Sequence, residues 1–233
     1  MSTAAQCLYA LAAEQFPDLT DAERALLLAI AAGETARYGG QTEAESDPKY
    51  ADAWGELRTI RAEVIRWLCI DREAIRHIDP RGIYIYGANI DGELDLRAVT
   101  ILFPLFLERC VIRQRVRLNF AETRLLSFAG SISGPIDGEG LTVQGALWLR
   151  QGFRAEGTVS LFGATISGHL DCTRGTFLNA SGVALHANTI TVHGPVILRR
   201  GFHAEGAVEL IGATIAGDLD CGGGPFITPA RPP

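Results

Sequence analysis

From Gly82 to Cys221 apolar and polar residues alternate in bursts of three, and glycines break the bursts. A period of two is that of a strand, whose successive side chains face opposite sides. Two stretches, "VSLFGATISGHLDC" (159–172) and "VELIGATIAGDLDC" (208–221), are near copies 49 residues apart. A frame of three apolar-x-apolar bursts joined by short corners fits 83–96, 105–118, 136–149, 159–172, 185–198 and 208–221. These frames start 22, 31, 23, 26 and 23 residues apart, so the long copy spans two units. The 31-residue step holds "LSFAGSISGPID", and the register of residues 119–135 stays open.

Such units predict a mainly β fold: a right-handed parallel β-solenoid with coils of about 22–26 residues, three strands to a coil. One expected inward column is Ile90, Ile112, Val143, Ile166, Val192, Ile215; another is Leu94, Val116, Leu147, Leu170, Val196, Leu219. Gly87, Gly163 and Gly212, with Gly92, Gly145, Gly168, Gly194 and Gly217, are expected at corners that need a left-handed backbone.

Before about residue 80 the period is helical. "TDAERALLLAIAAG" offers Thr20 as N-cap, Glu23 for a capping box and Gly33 as a stop. "RYGGQTEAESDPKYADA" reads as a loop. In "WGELRTIRAEVIRWLC" Trp54, Leu57, Ile60, Val64 and Leu68 recur at helical steps, and Asp71 can cap a final short helix. The expected organisation is therefore a helical cap (1–80) over the first coil, a solenoid (81–225) and a Pro-rich tail (226–233). No cap follows Cys221, so the last coil is expected either to stack on another copy or to belong to a truncated form of a longer chain.

"RTIRAEVIRWL", then "DPRGIYIYGANIDGELDL", then repeated "GATISGHLDC"-like coils resemble bacterial pentapeptide-repeat-like β-solenoid proteins often labelled membrane-associated oxidoreductases. The resemblance covers roughly residues 18–221 and implies a redox enzyme at a membrane. Longer members carry a hydrophobic C-terminal segment, so a membrane would be reached only through a segment absent from this chain.

Composition narrows the chemistry. Residues 1–80 hold 14 acidic and 8 basic side chains, and residues 81–233 hold 13 of each. A neutral solenoid argues against nucleic-acid binding. The longest apolar runs, 25–32 and 101–107, fall short of the roughly 20 residues that span a bilayer. Five cysteines without a CxxC pair, and no basic n-region, point to a soluble cytoplasmic chain. There is no GxGxxG opening a helix, no P-loop and no GxSxG, so no cofactor is expected.

Asp95, Arg117, Trp148, Asp171, Ile197 and Asp220 are expected to share one outward column, with Asp171 and Asp220 two coils and roughly 10 Å apart, too far to grip one ion. Cys172 and Cys221 are expected inward and too distant for a disulfide. No catalytic or metal-binding residue is expected. Thr142, Thr165, Thr191 and Thr214 should form an outward threonine column, which can order water or simply favour strands. The repeated loops "LRQGFRAEG" and "LRRGFHAEG" should present Arg150, Phe153, Glu156, Arg199, Phe202 and Glu205 as an interaction ridge, or else use the phenylalanines to cover the core. The function these features favour is a noncatalytic scaffold that binds a protein partner or associates with itself through the last coil. The rival readings are the oxidoreductase, a saccharide-active solenoid with aromatics or carboxylates aligned along a groove, and a DNA mimic.

Overall fold

A computed structural model describes residues 2–40 and 45–223, together with the backbone of Phe226–Ile227. The chain winds a parallel β-solenoid of about six turns, preceded by helices. Each coil has four sides. Side one stacks Ile83–Tyr86, Leu105–Glu108, Leu126–Ser127, Leu147–Trp148, Leu170–Asp171, Val196–Ile197 and Leu219–Asp220. Side two runs through Asn89–Asp91, Val111–Ile112, Ile132–Ser133 and Arg154–Glu156, and side three through Leu94–Asp95, Val116–Arg117, Ile136–Asp137 and Val159–Ser160. Side four stacks Thr100–Ile101, Glu122–Thr123, Thr142–Val143, Thr165–Ile166, Thr191–Val192 and Thr214–Ile215. The strands Thr176–His186 and His203–Glu209 turn the corner between sides two and three and merge them into one sheet.

Four sides, rather than three, correct the sequence frame. All sides share the same inward alternation, so a three-strand template can lock onto any of them. It starts on side one at 83 and 105 but on side three at 136, 159, 185 and 208. The slip occurs in residues 119–135, where Glu122–Thr123 lies on side four, Leu126–Ser127 on side one and Ile132–Ser133 on side two. Each expected inward column therefore divides. Ile90 and Ile112 lie on side two, whereas Val143, Ile166, Val192 and Ile215 lie on side four. Leu94 and Val116 belong to side three, and Leu147, Leu170, Val196 and Leu219 to side one. All are buried except Ile215 and Leu219 in the last described coils.

The glycines also divide. Gly87, Gly92, Gly163 and Gly212 have positive φ, as expected. Gly145, Gly168, Gly194 and Gly217 do not; they stack at the corner between sides four and one. A Cβ on Gly168 would lie 2.6 Å from the Gly145 carbonyl oxygen, and one on Gly194 would lie 2.6 Å from that of Gly168. Close approach, not backbone handedness, selects glycine there.

One repeated feature spans two coils. Arg154, Thr176 and His203 are aligned partners, and the residues just before them are Phe153, Gly175 and Phe202. In the next inward row Ala155, Phe177 and Ala204 are partners. Large and small thus alternate in antiphase, and the rings interleave at centroid distances of 5.6 Å (Phe153–Phe177) and 5.3 Å (Phe177–Phe202). The 49-residue copy is the period of this packing.

In the N-terminal region, α1 (Thr3–Gln15) and α2 (Asp21–Ala32) pack together. Thr20, Glu23 and Gly33 form the expected capping box and left-handed stop of α2. The expected helix from Trp54 is shorter: α3 spans only Ala62–Ile70, after the strand Thr59–Arg61. Asn89–Asp91 presents an open edge that Thr59–Arg61 pairs with, so tertiary pairing overrides the helical period, and Leu57 is left 72% exposed. Likewise Ala36–Arg37, at the start of the expected loop, pairs with Ile85–Tyr86. The first coil is thus covered by strands on sides one and two, and by α3 on sides three and four. Asp71 caps the short α4 (Arg72–Ile75). At the other end Phe226–Ile227 pairs with Ala204–Glu205, so the sheet continues past residue 225; of the expected tail, residues 228–233 lie outside the described residues.

Glu23 fastens this cap. Its side chain is fully buried, and it accepts hydrogen bonds from the Thr20 amide at 3.0 Å, the Arg61 amide at 3.1 Å and the Arg61 guanidinium at 2.7 and 2.8 Å. Burial pushes the carboxyl pKa up, but the hydrogen bonds from Arg61 and Thr20 outweigh it and hold it below the ordinary value.

Two outcomes follow from this packing. Glu23→Gln should lower stability by about 3 kcal/mol at neutral pH, measured by urea unfolding. Because the folded pKa is depressed, that advantage is full above the unfolded value of about 4.3 and disappears as pH falls through the folded value, so the two unfolding curves should converge in acid. Gly175→Ala places a Cβ 2.7 Å from the Leu149 carbonyl oxygen and 2.9 Å from the Phe177 ring, and should cost about 2 kcal/mol.

Candidate functional site

On an outward-facing strand position the size of the side chain is free to vary, and on side one it varies sharply. Aligned outward residues are Tyr84, Phe106, Ser127, Trp148, Asp171, Ile197 and Asp220. Two residues further along, the first four coils carry Tyr86, Glu108, Ala129 and Arg150. The third coil therefore offers only Ser127 and Ala129, between coils that carry an aromatic ring and a charged group each. Phe106 and Trp148 close over these two small residues, with centroids 6.3 Å apart and planes at 48°, and bury them.

Each of the two rings has a further partner. Tyr84 stacks on Phe106 at 4.8 Å and 29°. The Arg150 guanidinium lies 4.1 Å from the Trp148 ring centre, and Trp148 Nε1 donates to His169 Nε2 at 3.1 Å. Glu108 accepts from the Tyr84 hydroxyl and, at 2.7 Å, from the Ser127 hydroxyl. Burial and then the Glu108 carboxylate raise the Tyr84 pKa, so its hydroxyl stays protonated as a donor. Arg150 bonds Asp171 at 3.0 Å across the next coil.

The sequence frame missed Tyr84, Phe106, Glu108 and Ser127. The signal was present in "IYI", "LFL" and "LWL", where the middle residue of an apolar-x-apolar burst is aromatic in three of the first four coils. The phase slip hid it, because Trp148 was grouped with Asp95 and Arg117, which lie on side three.

The other expected site residues are scattered. Phe153 and Phe202 are fully buried core residues, so they do not protrude. They face inward because the strands after them place Ala155 and Ala204 inward as well. Arg150 and Arg199 sit on side one and bond Asp171 and Asp220, while Glu156 pairs with Arg154 and Glu205 with His203. The six residues do not form one ridge. Thr142, Thr165, Thr191 and Thr214 are aligned partners on side four, outward of buried Val143, Ile166 and Val192 and the half-buried Ile215. Glu122 and Thr100 extend that column, and Gln144, Ser167, His193 and Ala216 make an irregular exposed column beside it.

The aspartates of sides one and three are held by arginines. Hydrogen bonding from Arg97 draws the Asp95 carboxyl down to about 2. For Asp171 burial acts upwards, but bonds from Thr173 and Arg150 outweigh it and the pKa is lowered. Burial pushes the thiols of Cys69 and Cys110 up to about 12, and that of Cys172 well above its ordinary value. Cys221, expected inward, is exposed because no described coil covers it. Among the described residues no three His, Cys, Asp or Glu side chains gather where they could hold a metal ion, and no helix is long and apolar enough to cross a membrane.

Comparison of the chain with protein-family models, with curated proteins and with solved structures finds no match.

In the native protein a disulfide reagent should label Cys221, and more slowly Cys7, while Cys69, Cys110 and Cys172 react only on unfolding; peptide mapping of the labelled cysteines checks this.

Proposed function

We propose that this chain is a noncatalytic binding scaffold whose working surface is the outward face of side one. The observation that carries the reading is the braced pair Phe106 and Trp148. Aromatic side chains held rigid before a ligand arrives lose little entropy on contact, which is what a binding surface requires. A redox role gains no support from the cysteines, whose three buried thiols resist ionisation. Nor does DNA mimicry gain support, because Asp171 and Asp220 of side one are each paired with an arginine. Five unpaired cysteines fit a reducing, cytoplasmic setting. Parallel coils led by helices are in keeping with the likeness to pentapeptide-repeat-like proteins.

Self-association is a second reading, favoured by Leu219, an inward position left 47% exposed in the last described coils. A second copy stacked there would bury it, and sedimentation should then show dimers that Leu219→Glu dissolves.

Affinity capture from a cell extract, with the wild-type chain beside the Phe106→Ala/Trp148→Ala variant, tests the main reading. A component held by the first and lost from the second is expected. Identical retained sets, with the variant natively folded, would overturn the assignment of this face.

A further inference from the structure

We infer that Arg174 and Arg200, at the corner between sides one and two, form a binding site for a phosphate monoester dianion. The site stands apart from the Phe106 and Trp148 pair and does not depend on it. Asp171 and Ile197 are aligned on successive coils of side one, and three residues further on the chain reaches Arg174 and Arg200. The Arg174 amide donates to the Arg199 carbonyl at 3.3 Å, which keeps that register round the corner. A left-handed backbone is needed there. Gly130 and Gly223 supply it elsewhere in the column at φ 68° and 73°, whereas Arg174 and Arg200 adopt φ 58° and 51°, where L side chains are strained. Glycine would relieve both positions, so the arginines are kept at a cost to the fold.

A second cost is electrostatic. Neighbouring main chains lie about 4.8 Å apart, so two groups of like charge rise from adjacent, aligned positions. The other cations of this edge are matched one to one: Arg150 with Asp171, Arg154 with Glu156, Arg199 with Asp220 and His203 with Glu205. Among the described residues no carboxylate pairs with Arg174 or Arg200, and both are exposed. The Arg174 side chain leans on to the coil that carries Arg200. Its Cγ lies 4.0 Å from the point that a Cβ of Gly201 would occupy, and apart from the chain neighbours of Gly201 no other described atom comes within 4 Å of that point. The main chain beside the two arginines is therefore open to a ligand.

The pair selects the ligand class. A carboxylate or a phosphodiester brings one charge and leaves one guanidinium unmatched. A phosphate monoester brings nearly two charges at neutral pH and three acceptor oxygens, enough for both guanidinium groups at one coil spacing.

Nuclear magnetic resonance titration of the isotope-labelled full chain, at fixed ionic strength and about pH 7.5, tests the inference with inorganic phosphate and a phosphoserine peptide as probes. Saturable shifts of the Nε–H signals of Arg174 and Arg200 are expected with both. Tighter binding of the peptide would place the dianion on a partner protein, and equal binding would place it on a small molecule. Diethyl phosphate should bind about fivefold more weakly or worse, and a fall to about pH 5.5, which leaves phosphate largely with one charge, should weaken its binding too. Arg174→Gly/Arg200→Gly should lose the shifts and raise the urea midpoint, a gain that a structural role for the arginines would not give. Arg174→Gln/Arg200→Gln, which keeps side chains at the corner, should also lose the shifts without lowering the midpoint. Arg97→Gln, which removes a charge from the first coil, should leave binding unchanged. Absence of saturable shifts up to about 10 mM phosphate would overturn the inference, as would shifts that persist in either double variant, equal binding of the diester, or a lowered midpoint in the glutamine variant.

Discussion

Coil-to-coil hydrogen bonding along the main chain fixes everything else in this molecule. Amide and carbonyl of each coil pair with the next coil in register, from Ile83 with Leu105 to Val196 with Leu219. A close spacing then holds all around the perimeter, corners included. At the corner between sides four and one it brings carbonyl oxygens so near the following coil that a methyl group has no room, and glycine follows at Gly145, Gly168, Gly194 and Gly217. At inward positions the same spacing forces side chains of successive coils into contact, so their volumes must be settled together.

Outward positions escape that demand, and there the chain can place chemistry. Ser127 and Ala129 leave room for Phe106 and Trp148 to meet above them, while the inward neighbours Leu126 and Phe128 stay in the core. The site is thus a matter of which side chains a rigid lattice displays, with positions set by the backbone. Glu23 plays the corresponding part at the start of the lattice, where a helix terminus and a strand from distant parts of the sequence share one carboxylate. Its buried charge is tolerable because every oxygen is met by donors.

Much of this was legible in the residues. Thr20, Glu23 and Gly33 gave the limits of α2, and the Thr142, Thr165, Thr191 and Thr214 column followed from period and spacing alone. The number of sides was not legible, because sides one to four repeat one inward pattern and nothing local tells Leu94 of side three from Leu147 of side one. The strand Thr59–Arg61 was hidden for another reason: its residues suit a helix, and only the waiting edge of Asn89–Asp91 makes them extended. The aromatic pair was hidden by the first of these alone, since Phe106 and Trp148 come together only when the sides are counted correctly.

The antiphase of Phe153, Phe177 and Phe202 imposes a parity on this half of the protein. Removing one coil would set two rings at the same level, and inserting one would leave an unfilled layer. A change of length that keeps this packing therefore comes in pairs of coils, the spacing at which 159–172 and 208–221 repeat.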